Sequence, residues 1–177
     1  MGMNEFDGHW MTTFTGKKFH YKNPMPEEVC IEDIAHHLSL LCRYTGAVRV
    51  FYSVAEHSIK VAEIVPEHLR LSALLHDAAE AYINDISRPV KYSHKLEETE
   101  KGISKVINSK FGITPDVPEI KEADSILLAT ESRDLMANMD GWAELPEPLV
   151  GKIKPISSRL AEITFLYRFK RYMGNWK

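Results

Sequence analysis

The amino-acid sequence predicts a single-domain, all-α protein, and three observations support that expectation. The chain has 177 residues, 44% of them hydrophobic, which suffices for one buried core but is short for two ordinary domains. Five or six segments repeat apolar side chains every three or four positions, as one face of a helix does. Internal repeats, low-complexity tracts and a composition shift that would mark a domain boundary are absent from the sequence. We therefore expect a compact helical bundle.

The N-terminal arm, residues 1–28, contains Gly, Pro, Asn and aromatic residues without a clear period. Within it, residues 15–21 favour a short strand or hairpin arm, which Pro24 and Pro26 then end. The chain is thus divided into an irregular arm, with room for one small β-hairpin, and a helical body over residues 29–177.

The first two helices are predicted from apolar residues at helical spacing. Ile31 and Ile34 begin a helix that we expect to end at Gly46. Residues 47–52 are largely β-branched or aromatic and indicate a short extended link. A second helix is expected over about residues 54–65.

The remaining helices are predicted in the same way, over about residues 67–82, 95–111, 119–135 and 157–172. Gly112 is expected to end the second of these. The last helix presents Leu160, Ile163, Leu166, Tyr167 and the neighbouring aromatic residues as its apolar side. Residues 138–155, which contain Gly, Pro and Trp, indicate a long surface connection.

Composition excludes several classes of protein. A net charge of −3 gives no reason to expect a polynucleotide partner, which usually requires a basic face. Two cysteines, Cys30 and Cys42, form no disulfide framework and indicate reduced thiols. The sequence shows neither a signal peptide nor an apolar run long enough to span a bilayer. We expect a cytoplasmic protein without a membrane partner.

One stretch carries unusual chemistry, Leu74-Leu75-His76-Asp77-Ala78-Ala79-Glu80. A His–Asp pair directly after two leucines is rare on a buried face, because both side chains lose water there. In a continuous helix, His76 and Glu80 stand at i and i+4, and Asp77 lies beside them. All three side chains are therefore expected to border one cavity.

Two further helices place polar residues on buried faces, namely His57 and Asp124. Taken alone, His57 is equally a hydrogen-bonded core histidine, and Asp124 a structural hydrogen-bond acceptor. Together with His76 and Asp77 they form a set that a divalent cation would satisfy, since imidazole and carboxylate suit Mn, Fe, Co, Ni or Zn. The absence of thiolates from this set favours a site with open positions for water and substrate.

The ordered set of His57, then His76-Asp77, then Asp124 resembles the signature of the HD-domain metal-dependent phosphohydrolases. The resemblance covers roughly residues 29–137, and its motifs lie at residues 31–36, 52–58, 73–80, 84–91 and 121–124. Within that superfamily the chain is similar to small nucleotidases, namely bacterial 5′-deoxynucleotidases and phage-type dATP triphosphohydrolases.

This resemblance implies an HD-type helical bundle in which His57, His76, Asp77 and Asp124 hold one divalent ion, which could be Mn, Co, Zn, Mg or Fe. It implies that Glu80 and Asp85 activate or orient water and help to hold a second ion. Substrate contacts implied in the same way are Arg43, Lys91 and Lys121 on phosphate, His36 on the sugar or a ligand, and Ile31 and Pro89 beside the base. Lys91 and Lys121 fit ordinary solvated surface equally well.

The expected function is hydrolysis of a 2′-deoxynucleotide at its 5′-phosphate, from either a dNTP such as dATP or a dNMP. The alternatives are a catalytically degenerate sensor that binds nucleotide, an alarmone hydrolase, and a helical bundle without metal. Alarmone hydrolases typically continue the motif with Glu-Asp, whereas Glu80 is followed here by Ala81. Related enzymes often carry a His near the position of Ala47, which leaves part of the pocket undefined. The resemblance also implies a homo-oligomer.

Overall fold

The fold, seen in a computed structural model that describes residues 9–138 and 144–174, consists of α-helices and one small antiparallel hairpin. The predicted all-α class is therefore confirmed, together with its N-terminal hairpin. Residues 1–8 of the predicted arm and 139–143 of the predicted connection lie outside the described residues.

The hairpin occupies part of the arm that the sequence predicts to be irregular. Strands β1 (Trp10–Thr12) and β2 (Lys18–His20) pair with Met11 opposite Phe19. Phe19 is fully buried, and its ring stacks on Tyr82 at 3.7 Å between centroids. The carboxylate of Asp33 accepts hydrogen bonds from the backbone N–H and the hydroxyl of Thr15, at 2.7 and 2.9 Å. These contacts fix the hairpin to the helical body.

The helices are α1 (Ile31–Leu40), α2 (Val54–Ile64), α3 (Arg70–Leu74), α4 (Glu80–Ile83), α5 (Arg88–Ser93), α6 (Glu97–Phe111), α7 (Pro118–Leu135) and α8 (Ser158–Tyr172). Helix α2 is central and packs against α1, α3, α7 and α8. Its first turn is capped by Ser53, whose hydroxyl accepts the N–H of Glu56 at 3.1 Å. Gly112 ends α6 with a left-handed φ of 64°, as predicted.

Helix α1 ends at Leu40, six residues before the predicted end at Gly46. The chain then pairs with the segment that precedes α2, because Cys42 and Ser53 form an antiparallel bridge. Two backbone hydrogen bonds flank this bridge, one of them from the Arg43 N–H to the Tyr52 carbonyl at 2.9 Å. Pairing with the extended link, whose residues are largely β-branched or aromatic, thus ends the helix at Leu40. Residues 43–46 form a separate tight turn.

The predicted helix over residues 67–82 is broken within the His–Asp motif. A short 3-10 helix (Glu67–Leu69) leads into α3, and α4 begins only at Glu80. Between them the backbone makes i→i+3 bonds, such as the Glu80 N–H to the Asp77 carbonyl at 3.0 Å. The ring of His76 donates from Nδ1 to the Ala73 carbonyl at 2.7 Å. In a continuous α-helix that carbonyl would accept the N–H of Asp77, so the ring bond competes with the helix.

Helix α8 turns only part of its predicted apolar side to the core. Of the predicted residues, Phe165 is fully buried, and Leu166 and Phe169 pack against the core. Leu160, Ile163 and Tyr167 are instead 49%, 55% and 43% exposed. Both sides of this helix carry apolar residues at helical spacing, so periodicity alone does not show which of them are buried.

One hydrophobic core runs from Phe19 in the hairpin to Phe165 in α8 and includes most of the apolar face of α2. Among the described residues, no helix has both the length and the apolar character needed to cross a membrane.

The orientation of α8 can be tested by comparing Phe165→Ala with Ile163→Ala. Phe165→Ala should lower the free energy of unfolding by about 3–5 kcal/mol, because it removes a fully buried ring. Ile163→Ala, two positions away on the exposed side, should change it by less than about 0.5 kcal/mol. Urea denaturation measures both, and the opposite order would contradict the described orientation.

Candidate metal centre

Three parts of the chain bring metal-binding side chains to one place. Helix α2 contributes His57, the broken segment after α3 contributes His76, and α7 contributes Asp124. One ligand atom from each of these residues lies within 4.8 Å of the other two, an arrangement able to hold a metal ion. The Nε2 atom of His57 is 3.1 Å from Asp124 Oδ1 and 3.3 Å from His76 Nε2.

Asp77 joins the same group. Its Oδ2 atom lies 3.2 Å from His76 Nε2 and 3.5 Å from His57 Nε2. All four residues implied as metal ligands by the HD resemblance are therefore brought together, although α3 ends before the motif begins.

The hydrogen bonds of the two imidazoles explain why their Nε2 atoms face each other. A carbonyl oxygen only accepts, so His76 Nδ1 must carry the proton that it donates to Ala73. His57 Nδ1 lies 2.7 Å from Oε1 of the Glu131 carboxylate, to which it donates. In the neutral rings both Nε2 lone pairs then point at one another across 3.3 Å. Such an arrangement is repulsive unless a proton or a cation lies between the lone pairs.

Glu131 is the residue of this site that the sequence-based prediction misses. Its side chain is fully buried on α7, and besides His57 it accepts a hydrogen bond from the hydroxyl of Tyr44. Arg43 completes its surroundings, with Nε 3.3 Å from Glu131 Oε2. Glu131 lies seven residues after Asp124, two helical turns along the same face, and this spacing was the available signal.

Arg43 is brought to the metal group, as the resemblance implies. The residue is 9% exposed, and Nη1 lies 3.4 Å from Asp77 Oδ2. The tight turn that follows is strained, since Tyr44 and Thr45 have φ values of 57° and 55°. The carboxylate of Asp85 accepts the backbone N–H of Tyr44 at 2.9 Å and so holds this turn in place.

Glu80 and Lys91 form the next layer of the site. Glu80 is 6% exposed; its Oε1 lies 3.4 Å from Lys91 Nζ, and its buried Oε2 has no hydrogen-bond partner within the described residues. Lys91 Nζ also donates to Glu100 at 2.8 Å. Burial, followed by the carboxylates of Asp77 and Asp85, raises the pKa of Glu80 well above its usual range.

The charges of the metal group depend on each other. Burial, the largest influence on His57, lowers its pKa, but Glu131 and Asp124 outweigh burial and raise it to about 10. Burial alone would raise the pKa of Asp77, yet His76, His57 and Arg43 hold it far below its usual range. In the same way, His57 and Arg43 overcome burial and lower the pKa of Glu131 to about 2. Asp77 and Glu131 thus stay ionised beside a cationic His57.

The other residues predicted to contact the substrate make their contacts away from the metal ligands. Lys121 is exposed and pairs with Asp116 at 3.3 Å. His36 stacks on Phe14 at 3.7 Å between ring centroids and lies 3.2 Å from Glu162 on α8. Ile31 packs partly buried against the core, and Pro89 is exposed in the first turn of α5. The structure does not bring His36, Ile31 or Pro89 to the metal group.

Two cavities border the site in the described part of the chain. The larger, about 530 Å³, lies between α6 and α7 and reaches His76 and Asp124; Lys101, Lys105 and Lys121 are among its lining residues. The smaller, about 340 Å³, is lined by Asp85, Thr45 and apolar side chains such as Ile86. Both volumes are in the range of small-molecule sites.

The donor set fits a hard or borderline divalent ion. It combines two imidazole nitrogens with carboxylate oxygens and contains no thiolate, a combination that suits ions from Mg to Zn. The unpartnered oxygen of Glu80 adds an acceptor that a nearby water or ion would satisfy.

Comparison with known proteins identifies two relatives, both named as uncharacterized. The chain matches no protein-family model. It is 41% identical over 167 residues to the uncharacterized protein YfdR of Escherichia coli K12, covering 90% of this chain and 93% of that protein. It is 30% identical over 166 residues to an uncharacterized protein of Rhodobacter capsulatus, covering 85% of this chain and 83% of the relative. The chain therefore belongs to the family of YfdR.

Proposed function

We propose that this protein is a metal-dependent phosphohydrolase of the HD-domain type and that its substrate is a 2′-deoxynucleotide. The observation that carries the proposal is the convergence of acceptor atoms from His57, His76, Asp77 and Asp124, with the two Nε2 atoms 3.3 Å apart. A structural helical bundle has no reason to bring these groups together, because two imidazole acceptors that face each other repel unless a proton or a cation lies between them.

The metal is proposed to be a single divalent ion held by these four residues, with Mn, Co, Zn, Mg and Fe as candidates. Glu80 and Asp85 offer the carboxylates that a second ion would need. After burial, the nearby carboxylates of Asp77 and Asp85 are the groups that raise the pKa of Glu80.

When bound, a divalent ion supplies Lewis acidity toward phosphoryl oxygens and lowers the pKa of a water molecule. Arg43 binds a phosphate oxygen, and its guanidinium is held in place by Asp77 and Glu131 before substrate arrives. Lys91 lies beside Glu80 and adds a second cation toward the phosphate. Glu80 takes a proton from the attacking water as its oxygen bonds to phosphorus. The bond from phosphorus to the 5′-oxygen breaks, and the same proton passes to that oxygen, which leaves as the hydroxyl of the deoxynucleoside.

The substrate is proposed to be a single nucleotide, either a dNMP that yields deoxynucleoside and phosphate or a dNTP that yields deoxynucleoside and triphosphate. The cavities of about 530 and 340 Å³ beside the site have room for a molecule of this size. The larger cavity offers Lys101 and Lys105 to anionic groups, beside the carboxylates of Glu97 and Glu100. The apolar residues of the smaller cavity suit a base.

Manganese should bind and stabilise the protein. At about 100 times its dissociation constant it should add about 2.7 kcal/mol to the stability and raise Tm by roughly 5–10 °C. Asp124→Ala removes one ligand and should weaken binding on the order of 100-fold, so that most of the shift is lost. Asp116→Ala, an exposed Asp nearby, is the control. Thermal unfolding with and without manganese checks this, and an equal shift in both variants would contradict the assigned ligand set.

Metal binding should release about one proton at pH 7. With a pKa of about 10, His57 is protonated at neutral pH in the metal-free protein, and a cation at Nε2 must displace that proton. The apparent affinity for manganese should therefore rise with pH, by about tenfold per unit between pH 6 and 9. Isothermal titration in buffers of different ionisation enthalpy measures the proton count. A pH-independent affinity without proton release would contradict the displacement of a proton from His57 by the metal ion.

Glu80→Gln should stop hydrolysis without preventing metal binding. Loss of a general base lowers kcat by about 10²- to 10⁴-fold, whereas the ligands at His57, His76 and Asp124 remain. Phosphate release from a panel of dNMPs and dNTPs with manganese or cobalt measures the effect, and Glu98→Gln, an exposed Glu on α6, is the control. Undiminished activity in Glu80→Gln would remove its assigned role. Metal-loaded wild-type protein without any turnover would favour the sensor alternative.

A further inference from the structure

The carboxylate of Glu131 joins the two halves of the site. Its Oε1 atom accepts from Nδ1 of the metal ligand His57 at 2.7 Å. Its Oε2 atom accepts from the hydroxyl of Tyr44 and lies 3.3 Å from Arg43 Nε. We propose that Glu131 is a positioning residue on which metal binding through His57 and phosphate binding through Arg43 both depend. The inference rests on the function proposed above.

On the metal side, Glu131 fixes which nitrogen of His57 faces the ion. Because Nδ1 donates to the carboxylate, Nε2 is the atom available toward His76 and Asp124. A carboxylate behind a ligating histidine orients the ring and increases its basicity, and losing such a partner typically weakens metal binding 10- to 100-fold.

On the phosphate side, Glu131 restrains a flexible cation. Arg43 comes directly after an extended segment of the chain and directly before the strained residues Tyr44 and Thr45. The guanidinium is held by two carboxylates, Asp77 at Nη1 and Glu131 at Nε. The Tyr44 hydroxyl adds a hydrogen bond that ties the strained turn to the same carboxylate. The other nitrogens of the guanidinium thus remain oriented for a phosphate.

A carboxylate is required for this double role, because the groups that contact its two oxygens, His57, Tyr44 and Arg43, all donate or carry positive charge. A glutamine at position 131 has one accepting oxygen, and its NH₂ group would face either the His57 N–H or the Tyr44 hydroxyl and Arg43. Both Asp124 and Glu131 belong to the helix α7, so the ligand and its positioning residue are carried by one rigid element.

The test measures two binding constants in Glu131→Gln. Competition with a chromophoric chelator gives the dissociation constant of Mn²⁺, which should rise about 10- to 100-fold. Titration with inorganic phosphate at saturating Mn²⁺ gives the second constant, which should rise roughly two- to tenfold because Arg43 loses a restraint. Because the metal site is saturated, weaker Mn²⁺ binding in the variant does not affect the dissociation constant measured for phosphate.

Tyr44→Phe tests the phosphate side of the site separately from the metal side. It also provides a second test if Glu131→Gln fails to fold. It removes only the hydroxyl, so Mn²⁺ affinity should stay within about twofold while phosphate binding weakens. Glu122→Gln, an exposed Glu on α7, should leave both constants unchanged. Wild-type Mn²⁺ affinity in Glu131→Gln, or wild-type phosphate affinity in either site variant at saturating metal, would overturn the proposal. Both readouts are binding constants, so failure of the proposed hydrolase activity does not alter them.

Discussion

The buried pair of His57 and Glu131 is the interaction on which the arrangement of this protein depends. Both side chains are fully buried, and they lie on different helices, α2 and α7. Removing Glu131 would leave the buried Nδ1–H of His57 without its acceptor, and removing His57 would leave one buried oxygen of Glu131 without its donor. Breaking a buried pair in this way costs about 3–5 kcal/mol. The pair therefore fixes the register between these two helices. Since α2 also packs against α1, α3 and α8, the register of this one pair sets where Asp124 meets the other ligands.

Negative charge is concentrated beside that pair, around Glu80. Burial, followed by the carboxylates of Asp77 and Asp85, raises the pKa of Glu80 against the attraction of Lys91 and Arg43. In the proposed metal centre, a divalent cation at the two Nε2 atoms would reduce this repulsion and allow Glu80 to ionise. The carboxylates that repel one another in the protein alone would thus favour a metal ion and prepare Glu80 as a proton acceptor.

The parts of the fold and site that follow from helical periodicity could be predicted from the sequence, whereas those that depend on single side-chain contacts could not. Helical periodicity located α2, α6 and α7, and polar residues on their apolar faces pointed to His57 and Asp124. The break before His76 could not be predicted, because it depends on one bond from a side chain to the Ala73 carbonyl. Periodicity also left the buried side of α8 only partly defined, because both sides are apolar. Glu131 was within reach of pattern reasoning, since it repeats the Asp124 position two turns later, but its partner Arg43 was known only from resemblance.

The break in the helix has a direct consequence for the chemistry. A continuous helix would stack His76 and Glu80 on one face, one turn apart. The turns between α3 and α4 separate them, so that His76 faces His57 while Glu80 contacts Lys91. The hydrogen bond from His76 Nδ1 to the Ala73 carbonyl both competes with the helical backbone bond and leaves Nε2 as the atom that faces the ligands. A single hydrogen bond therefore breaks the helix and selects the tautomer that can bind a metal ion.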